Sequence, residues 1–284
     1  MRTGDHHGFG GAWTLLKLAA LEKYLSAFTV ALSKQNFRLV YIDGFAGTGR
    51  CDVKIDGGST SVDGSARIAL QTSPPFDHFC FIELLPTKLA SLQTLEGTYP
   101  NRSIEIIQDD ANAALRNLCG KHDWKNTRAV LFLDPYGLHV EWETLEAIAQ
   151  TGAIDVWYLF PYSGLYRQTA KKAENLDPDK EAAITRCLGT DEWRKQFYEP
   201  VKQLSIFGDE GESRAASHGE MLKYVSERLK GVFPAVSDPK IFYQSNGSAP
   251  SGAPLFALYF AASNPSPKAF GLAMKITKGF INAL

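Results

Sequence analysis

The sequence predicts an α/β fold, a mostly parallel sheet with helices on both of its faces. Short apolar runs rich in β-branched and aromatic residues alternate with helical segments through the first 160 residues. Two more such runs near the C-terminus are separated only by a turn-rich segment. Parallel strands need a long crossover, usually a helix, whereas a short turn joins antiparallel strands. We therefore expect βαβ units followed by an antiparallel hairpin.

Five apolar runs supply the predicted parallel strands. Their continuous hydrophobicity is typical of strands buried on both faces, and the segments between them carry helical periodicity. The strands are expected at 37–43, 78–83, 103–108, 129–134 and 154–160, and the helices at 14–34, 65–71, 87–96, 112–119 and 142–150. The segment 52–64 is expected to be a loop because it is rich in Gly, Ser and Asp.

The pattern changes after the fifth strand. Residues 163–233 carry helical periodicity without a convincing strand, which predicts an α-helical insertion within a single domain that spans residues 1–284. Two strand-like runs, 240–245 and 254–263, then flank NGSAPSGA and predict a hairpin, and an amphipathic helix follows at 267–281. The whole prediction is a seven-stranded sheet with a helical insertion before its C-terminal hairpin.

Composition narrows the function classes. The chain has 30 Lys and Arg against 31 Asp and Glu, so it is not uniformly basic, although a local basic patch for nucleic acid stays open. No apolar run is long enough to cross a bilayer, and the first residues lack the apolar core of a signal peptide, so we expect a cytoplasmic protein. The four Cys and six His show no metal-ligand spacing, which predicts reduced thiols and no metal site.

A glycine-rich turn follows the first strand, at the edge where open α/β sheets bind their ligands. Glycine permits a positive φ and lets main-chain N–H groups approach a ligand closely. The spacing G-x-x-G-x-G, with no helix directly behind it, disfavours a nicotinamide or flavin dinucleotide. The residues expected at a cofactor are Asp43, Gly44, Phe45, Ala46, Gly47 and Gly49.

Acidic residues end the next two strands. Glu83 ends the second strand, where a carboxylate can accept hydrogen bonds from the two hydroxyls of a ribose. Asp109 and Asp110 end the third, and because successive strand residues point to opposite faces we expect only one of them at the crevice. Asp110 is favoured, since the small Ala111 next to it would leave room for a flat ring.

The tetrapeptide Asp134-Pro135-Tyr136-Gly137 ends the fourth strand. Asp134 can accept a hydrogen bond from an amine, Pro135 fixes the backbone direction, and Tyr136 can stack on a planar ring. Together they would orient a flat nitrogen nucleophile toward an electrophile held over the glycine turn. The same tetrapeptide is also good turn chemistry, so a purely structural turn is the alternative.

Weaker candidates for substrate contact follow the fifth strand. Tyr162 is expected in the outer wall of the crevice. Arg167, Lys171 and Lys172 form a short basic cluster that could contact phosphate, although a solvated helix face is the commoner meaning of such a cluster.

Taken together, these segments resemble the three-Cys-motif partner (TcmP) family, which is similar to class I S-adenosylmethionine-dependent methyltransferases. The resemblance spans nearly the whole chain and rests on YIDGFAGTGR, Glu83, QDDAN, LFLDPYGLHVEW, IDVWYLFPYS and LYFAASN. It implies a Rossmann-like fold of the class I methyltransferase type and S-adenosylmethionine as the cofactor. It also implies a protein partner that carries the three-Cys motif and is a radical-type iron–sulfur candidate.

The resemblance further implies roles for individual residues. The D-P-Y-G tetrapeptide is similar to the D/N-P-P-Y motif of amino-methyltransferases but has Tyr in place of the second Pro, and it is closer to the D-P-F-G of some tRNA guanine N2 methyltransferases. An exocyclic nitrogen of a base is therefore the expected acceptor, with adenine N6 in doubt. The implied contacts are Asp43, Gly44, Gly47 and Gly49 with the amino acid part of the cofactor, Glu83 with the ribose, Asp110 with the adenine, and Asp134 and Tyr136 with the acceptor.

Three hypotheses of function result. The first is a methyltransferase that acts on a planar amine such as a nucleobase. The second is a non-catalytic or assembly partner of a three-Cys-motif protein that uses the same fold. A weaker third is a nucleotide-dependent oxidoreductase. The fold alone does not decide between them.

Overall fold

The structure is a computed structural model, and it describes residues 12–55, 58–200, 211–244 and 252–281. The helices in these ranges are α1 (Ala12–Leu32), α2 (Ser65–Gln71), α3 (Pro86–Thr98), α4 (Ala111–Lys121), α5 (Trp142–Gln150), α6 (Tyr162–Gln168), α7 (Pro178–Leu188), α8 (Trp193–Phe197), α9 (His218–Lys230) and α10 (Pro267–Ile281), with a short 3₁₀ helix at Ala173–Asn175. The strands are β1 (Arg38–Asp43), β2 (Arg50–Ile55), β3 (Gly58–Asp63), β4 (His78–Ile82), β5 (Ile104–Ile107), β6 (Thr127–Leu133), β7 (Ile154–Phe160), β8 (Tyr198–Pro200), β9 (Glu212–Arg214), β10 (Ala235–Val236), β11 (Lys240–Tyr243) and β12 (Pro254–Ala262).

Eight of these strands form one sheet in the order β10-β12-β7-β6-β1-β4-β5, with β11 also paired to β12. Five adjacent strands of this order, β7, β6, β1, β4 and β5, are parallel to one another. Strand β12 is antiparallel to β7 on one side and to β10 and β11 on the other. This topology confirms the predicted mostly parallel α/β sheet of the Rossmann-like type and its C-terminal hairpin. The sheet has eight strands where seven were predicted, because the two-residue strand β10 is too short to form an apolar run.

Burial on both faces explains the continuous apolar runs. Along β1, Leu39 and Tyr41 pack into a cluster with α1, α2, α3 and α10 on one face of the sheet. Val40 and Ile42 pack into a second cluster with the other helices, from α4 to α9, on the opposite face. Strands with no solvated face carry no alternation of polar and apolar residues, which is why they read as unbroken hydrophobic segments.

Two short hairpins depart from the prediction. The segment 52–64, which we expected to be a loop, lies largely in an antiparallel pair of strands, β2 with β3. The helical segment 163–233 contains the strand pair β8 and β9. Both were missed because their strands carry exposed polar residues, so neither has an apolar run; β3 reads GSTSVD, and its first four residues are exposed.

The strand order indicates where a ligand-binding crevice lies. The chain leaves β1 at the centre of the sheet, with β4 on one side and β6 on the other. The order of the strands reverses at β1, and ligands of open α/β sheets bind beside the carboxyl ends of the strands at such a point. The residues after β1, β4 and β6 therefore lie around the same opening. Among the described residues, no helix is long and apolar enough to cross a membrane.

Candidate functional site

The glycine turn after β1 is fixed to both neighbouring strands. The Gly44 N–H donates to the carbonyl of Phe132 on β6 at 3.0 Å, and the Ala46 N–H donates to the carbonyl of Ile82 on β4 at 3.0 Å. A Cβ at Gly44 would lie 2.7 Å from Leu133 Cδ2, so a larger residue does not fit there. Ala46 is buried, and the half-buried Phe45 packs against the core. The sheet thus sets the path of the turn.

Two glycines in the turn have a left-handed backbone but different surroundings. Gly47 has φ of +64° and Gly49 of +72°. A Cβ at Gly49 would approach Leu95 Cδ1 to 2.7 Å, whereas a Cβ at Gly47 would meet nothing within 4 Å. Packing and backbone conformation therefore both favour glycine at position 49. Gly47 instead borders open space, so a ligand can approach the main chain at Gly47.

Asp43 supports the turn from inside. It is completely buried, and its carboxylate accepts hydrogen bonds from the Ser65 hydroxyl at 2.5 Å, the Phe45 N–H at 3.2 Å and the Tyr41 hydroxyl at 3.2 Å. Burial raises its pKa to about 6, against the lowering effect of these hydrogen bonds. The expected direct contact of Asp43 with a ligand is wrong for this arrangement, because no part of its side chain is open to solvent.

Glu83 joins the end of β4 to the glycine turn. Its Oε2 accepts the Gly47 N–H at 3.0 Å and its Oε1 accepts the Leu85 N–H at 2.9 Å. The side chain is buried, and the Lys88 ammonium lies 3.8 Å from Oε2. A carboxylate has roughly four acceptor positions, so the two backbone donors leave acceptor capacity at the border of the open space beside Gly47.

Asp110 has a structural role that the sequence analysis did not predict. It is the N-cap of α4, and its Oδ1 accepts the N–H groups of Asn112 at 2.9 Å and Ala113 at 3.1 Å. Such a cap stabilises a helix by about 1 kcal/mol. The side chain is otherwise exposed, and Ala111 behind it is buried as the first residue of α4. Asp109, which is also exposed, accepts the Asp110 N–H at 2.8 Å.

Asp134, at the end of β6, forms an ion pair with Lys17 of α1. Lys17 is only 4% exposed, whereas Asp134 is 27% exposed. The Lys17 ammonium also lies 4.9 Å from the ring centre of Trp13. Burying a cation without a partner is costly, so Lys17 stays paired with Asp134. The ion pair holds the Asp134 carboxylate in one orientation, and part of this carboxylate faces solvent.

Pro135 and Tyr136 complete this strand end. Pro135 is buried, whereas Tyr136 is 76% exposed. The Lys88 ammonium donates to Tyr136 Oη at 2.6 Å and lies 4.4 Å from the centre of its ring. Two large apolar residues, Leu84 at 56% and Leu85 at 46% exposed, follow Glu83. An exposed ring and exposed leucines concentrated at one opening are typical of a binding surface.

A buried amide fixes the loop behind Tyr136. Asn112 Nδ2 donates to the carbonyl of His139 at 2.8 Å, and its Oδ1 accepts the Glu141 N–H and the Thr144 hydroxyl, both at 2.9 Å. Arg116 of α4 pairs with Glu141 at 2.6 Å. The loop from β6 to α5 is therefore held to α4 by these contacts at His139 and Glu141.

The weaker candidates follow β7, the strand beside β6. Tyr162 is completely buried, with its hydroxyl 2.7 Å from His218 Nδ1, so its expected place in an outer wall is wrong; it packs α6 against α9. Arg167, Lys171 and Lys172 are exposed, and Lys172 pairs with Glu174 at 3.6 Å. Their predicted contact with phosphate stays a prediction.

The sequence analysis missed two cations of the site. The sequence analysis assigned no role to Lys17, yet it is buried against Asp134. A charged residue directly between Leu16 and Leu18 was the available signal. Lys88 carried no comparable signal. It lies in the first turn of α3, and its contacts with Glu83 and Tyr136 exist only because the fold brings those two residues together.

The described residues contain no group of three or more His, Cys, Asp and Glu side chains that could hold a metal ion. All four cysteines lie in the described part of the chain and are free. The candidate site consists of a carboxylate at each of two strand ends and a main-chain turn between them; Lys17 and Lys88 lie beside the two carboxylates.

Comparison with known structures finds proteins that resemble this chain in fold. The chain is similar to protein LPL1258 from Legionella pneumophila str. Philadelphia 1, of the family DUF519, with a TM-score of 0.54 at 12% identity over 96% of this chain and 94% of that one. A S-adenosylmethionine-dependent methyltransferase from Clostridium acetobutylicum gives a TM-score of 0.39 at 12% identity over 86% of this chain and 92% of that one. An rRNA methylase from Streptococcus thermophilus gives 0.37 at 11% identity over 87% and 94%.

No protein-family description matches the sequence, and no curated protein matches it. The structural likeness to LPL1258 shows a shared α/β fold at low sequence identity. Fold similarity of this kind defines the class of architecture, and the reaction has to be argued from the site.

Proposed function

We propose that this protein is an S-adenosylmethionine-dependent methyltransferase that methylates a nitrogen of a planar amine such as a nucleobase. The observation that carries this proposal is the position of Glu83 and Asp134 on either side of one glycine turn. Glu83 is hydrogen-bonded to Gly47 of that turn, while Asp134 follows the strand on the opposite side of β1. One carboxylate is thus available to a nucleoside and the other to an amine.

The residues present fit this cofactor. Gly47 borders open space that a side chain at this position would enter, so a ligand can lie against the main chain there. Glu83 has acceptor capacity for ribose hydroxyls next to that space. The exposed Leu84 and Leu85 offer apolar contact for a flat ring. Asp110 remains a candidate for the adenine through the carboxylate oxygen that does not cap α4.

Asp134 would act on the acceptor. When bound, S-adenosylmethionine supplies an electrophilic methyl group on a sulfonium sulfur. Asp134 would accept a hydrogen bond from the amine and so orient its nitrogen lone pair toward the bound cofactor, because orientation of the nucleophile lowers the barrier of such a transfer. The same carboxylate would take up, or pass to water, the proton that the nitrogen loses on methylation. Lys17 keeps the carboxylate in place.

The direct test is methyl transfer from radiolabelled S-adenosylmethionine to RNA, to DNA and to nucleosides, with S-adenosylhomocysteine binding measured by calorimetry in parallel. We expect ligand binding together with label in a nucleic-acid fraction. A protein that binds neither compound would contradict the proposal, and binding of NAD or NADP in its place would favour an oxidoreductase.

A partner role with a three-Cys-motif protein remains a second proposal, which comes from the sequence resemblance. A stable complex with such a protein, combined with binding of S-adenosylmethionine but no methyl transfer to any acceptor, would favour it. Methyl transfer by the isolated chain would favour the enzyme.

A further inference from the structure

Lys88 connects two parts of the site that the proposed function uses separately. Its ammonium lies 3.8 Å from Glu83 Oε2 and 2.6 Å from Tyr136 Oη. Glu83 Oε2 also accepts the Gly47 N–H at 3.0 Å. One continuous series of polar contacts therefore runs from the glycine turn, through Glu83 and Lys88, to Tyr136 at the other side of β1.

Tyr136 depends on Lys88 for its position. The residue is 76% exposed, and Lys88 supplies both a hydrogen bond to its hydroxyl and a cation 4.4 Å from its ring centre. Among the described residues, no other side chain hydrogen-bonds to this hydroxyl and no aromatic ring packs on it. A tyrosine without such contacts exchanges between rotamers within nanoseconds, so Lys88 restricts where the ring lies.

Glu83 is the point at which a ligand would act on this series. Its two oxygens already hold the N–H groups of Leu85 and Gly47, and Lys88 interacts at the same Oε2 as Gly47. Ribose hydroxyls that bind to Glu83 would donate hydrogen bonds to the same carboxylate with which the Lys88 ammonium interacts in the free protein. The position of the Lys88 ammonium, and with it that of the Tyr136 ring, therefore depends on whether Glu83 is occupied.

We propose that Lys88 is a positioning residue that couples the two halves of the site, transmitting the occupancy of Glu83 to the ring of Tyr136. The identity of the ligand at Glu83 rests on the proposed function. Because coupling between two sites is reciprocal, an acceptor stacked on Tyr136 changes the affinity for the cofactor through the same lysine. Lys88 touches neither the methyl group nor the amine in this assignment.

The test follows Tyr136 directly by fluorine NMR of the protein labelled with 3-fluorotyrosine. The chain has 11 tyrosines, and the Tyr136 resonance is identified as the one missing from Tyr136→Phe. The probe is S-adenosylhomocysteine, with calorimetry to measure occupancy. In the wild-type protein we expect the Tyr136 resonance to shift in proportion to occupancy.

Lys88→Met is expected to lose this shift while the dissociation constant changes by less than about threefold, as for a partly exposed ion pair. Lys88→Arg keeps a cation of similar reach and is expected to restore most of the shift. The matched control is Lys223→Met, which removes a lysine that is 75% exposed on α9 and should behave as wild type. Thermal melting followed by circular dichroism checks that each variant is folded.

An equal Tyr136 shift in Lys88→Met and wild type would overturn the coupling. A loss of affinity of more than about threefold in Lys88→Met would also overturn it, because Lys88 would then be a binding residue itself. If wild-type protein does not bind the probe, the proposed function fails, and the positioning role is then judged in the free protein. There the Tyr136 resonance must differ in position or linewidth between wild type and Lys88→Met, and identical resonances would overturn that role too.

Discussion

Lys17 and Asp134, which are 117 residues apart in the sequence, form an ion pair between the N-terminal helix and the end of β6. Lys17 is almost completely buried, while Asp134 keeps contact with solvent. The pair therefore attaches α1 to the crevice and at the same time leaves one carboxylate accessible to a ligand. Removing Asp134 and removing Lys17 are expected to change the free energy of unfolding by different amounts.

The first prediction concerns stability. Asp134→Asn leaves the buried Lys17 ammonium without its partner and is expected to lower the free energy of unfolding by about 3 kcal/mol. Adding Lys17→Met removes the unpaired charge and keeps the side-chain length, so the double variant should recover part of that loss. Urea denaturation of wild type, Asp134→Asn, Lys17→Met and the double variant measures this. If Asp134→Asn were as stable as wild type, the pair would have no energetic role.

The second prediction separates turnover from binding. Under the proposed function, Asp134→Ala removes the hydrogen-bond acceptor for the amine and is expected to reduce methyl transfer by about a hundredfold or more. The affinity for S-adenosylhomocysteine should stay within about threefold of wild type, because Glu83 and the glycine turn are untouched. An equal loss of turnover and of cofactor affinity in a folded variant would place Asp134 at the cofactor instead.

The third prediction assigns the cofactor carboxylate. Glu83→Gln retains the shape of the side chain but loses its charge and half of its acceptor capacity, so the affinity for S-adenosylhomocysteine should fall by about tenfold or more. Glu105→Gln is the matched control, since Glu105 is a half-exposed acid on β5 that interacts with His78. Calorimetry compares the two. Unchanged affinity in Glu83→Gln would remove Glu83 from the site.

The fourth prediction contrasts two glycines of one turn. Gly49→Ala combines a positive φ with a clash against Leu95, and we expect it to destabilise the fold by about 2 kcal/mol or more. Gly47→Ala meets no atom within 4 Å and should cost only about 1 kcal/mol from backbone strain. Its methyl group would project into the space proposed for the cofactor, so its larger effect should be on affinity. The opposite order of effects would contradict this assignment.

The fifth prediction concerns pH. Asp155 is partly buried on β7 and accepts a hydrogen bond from the Tyr24 hydroxyl at 2.6 Å, and burial raises its pKa from 3.8 to about 6. The folded state then keeps a proton that the unfolded chain releases near pH 4. This contribution to stability is fully present below about pH 4 and is lost as the pH rises through about 6.

Asp155→Asn should therefore flatten the dependence of the unfolding free energy on pH between 4 and 7, by up to about 3 kcal/mol. The pKa of Asp43 is raised in the same way, so the unfolding free energy of Asp155→Asn should still depend on pH to some extent. Asp238→Asn, at a residue 99% exposed, is the control. Denaturant titrations at several pH values test this, and parallel curves for wild type and Asp155→Asn would contradict it.

Periodicity predicted most of the architecture. The bounds of α2, α5 and α10 agree with those expected from the sequence, because each helix has a clear apolar face and a polar or turn-forming boundary. The five parallel strands were recognisable since burial on two faces leaves an unbroken apolar run. Strands β2 and β3 were not, because their pairing rests on main-chain hydrogen bonds along polar residues.

The site was predictable where it follows strand ends and unpredictable where it depends on contacts distant in sequence. Glu83 and Asp134 were found from their positions after apolar runs. Lys17 was not, because its partner is on another element. Asp43 and Tyr162 were assigned outward positions since strand-end residues commonly face a crevice, yet internal hydrogen bonds and packing bury both.

The position of β12 has a consequence for biosynthesis. This strand, Pro254–Ala262, lies between β7 and the strands β10 and β11 that precede it in the chain. During synthesis, one edge of β7 with its apolar sequence IDVWYLF has no hydrogen-bonding partner until β12 has left the ribosome. An unpaired apolar edge is a template for aggregation, so a chain that stops before Pro254 is expected to aggregate or to need a chaperone. The edge of β7 is covered only when a strand distant in the sequence has been made.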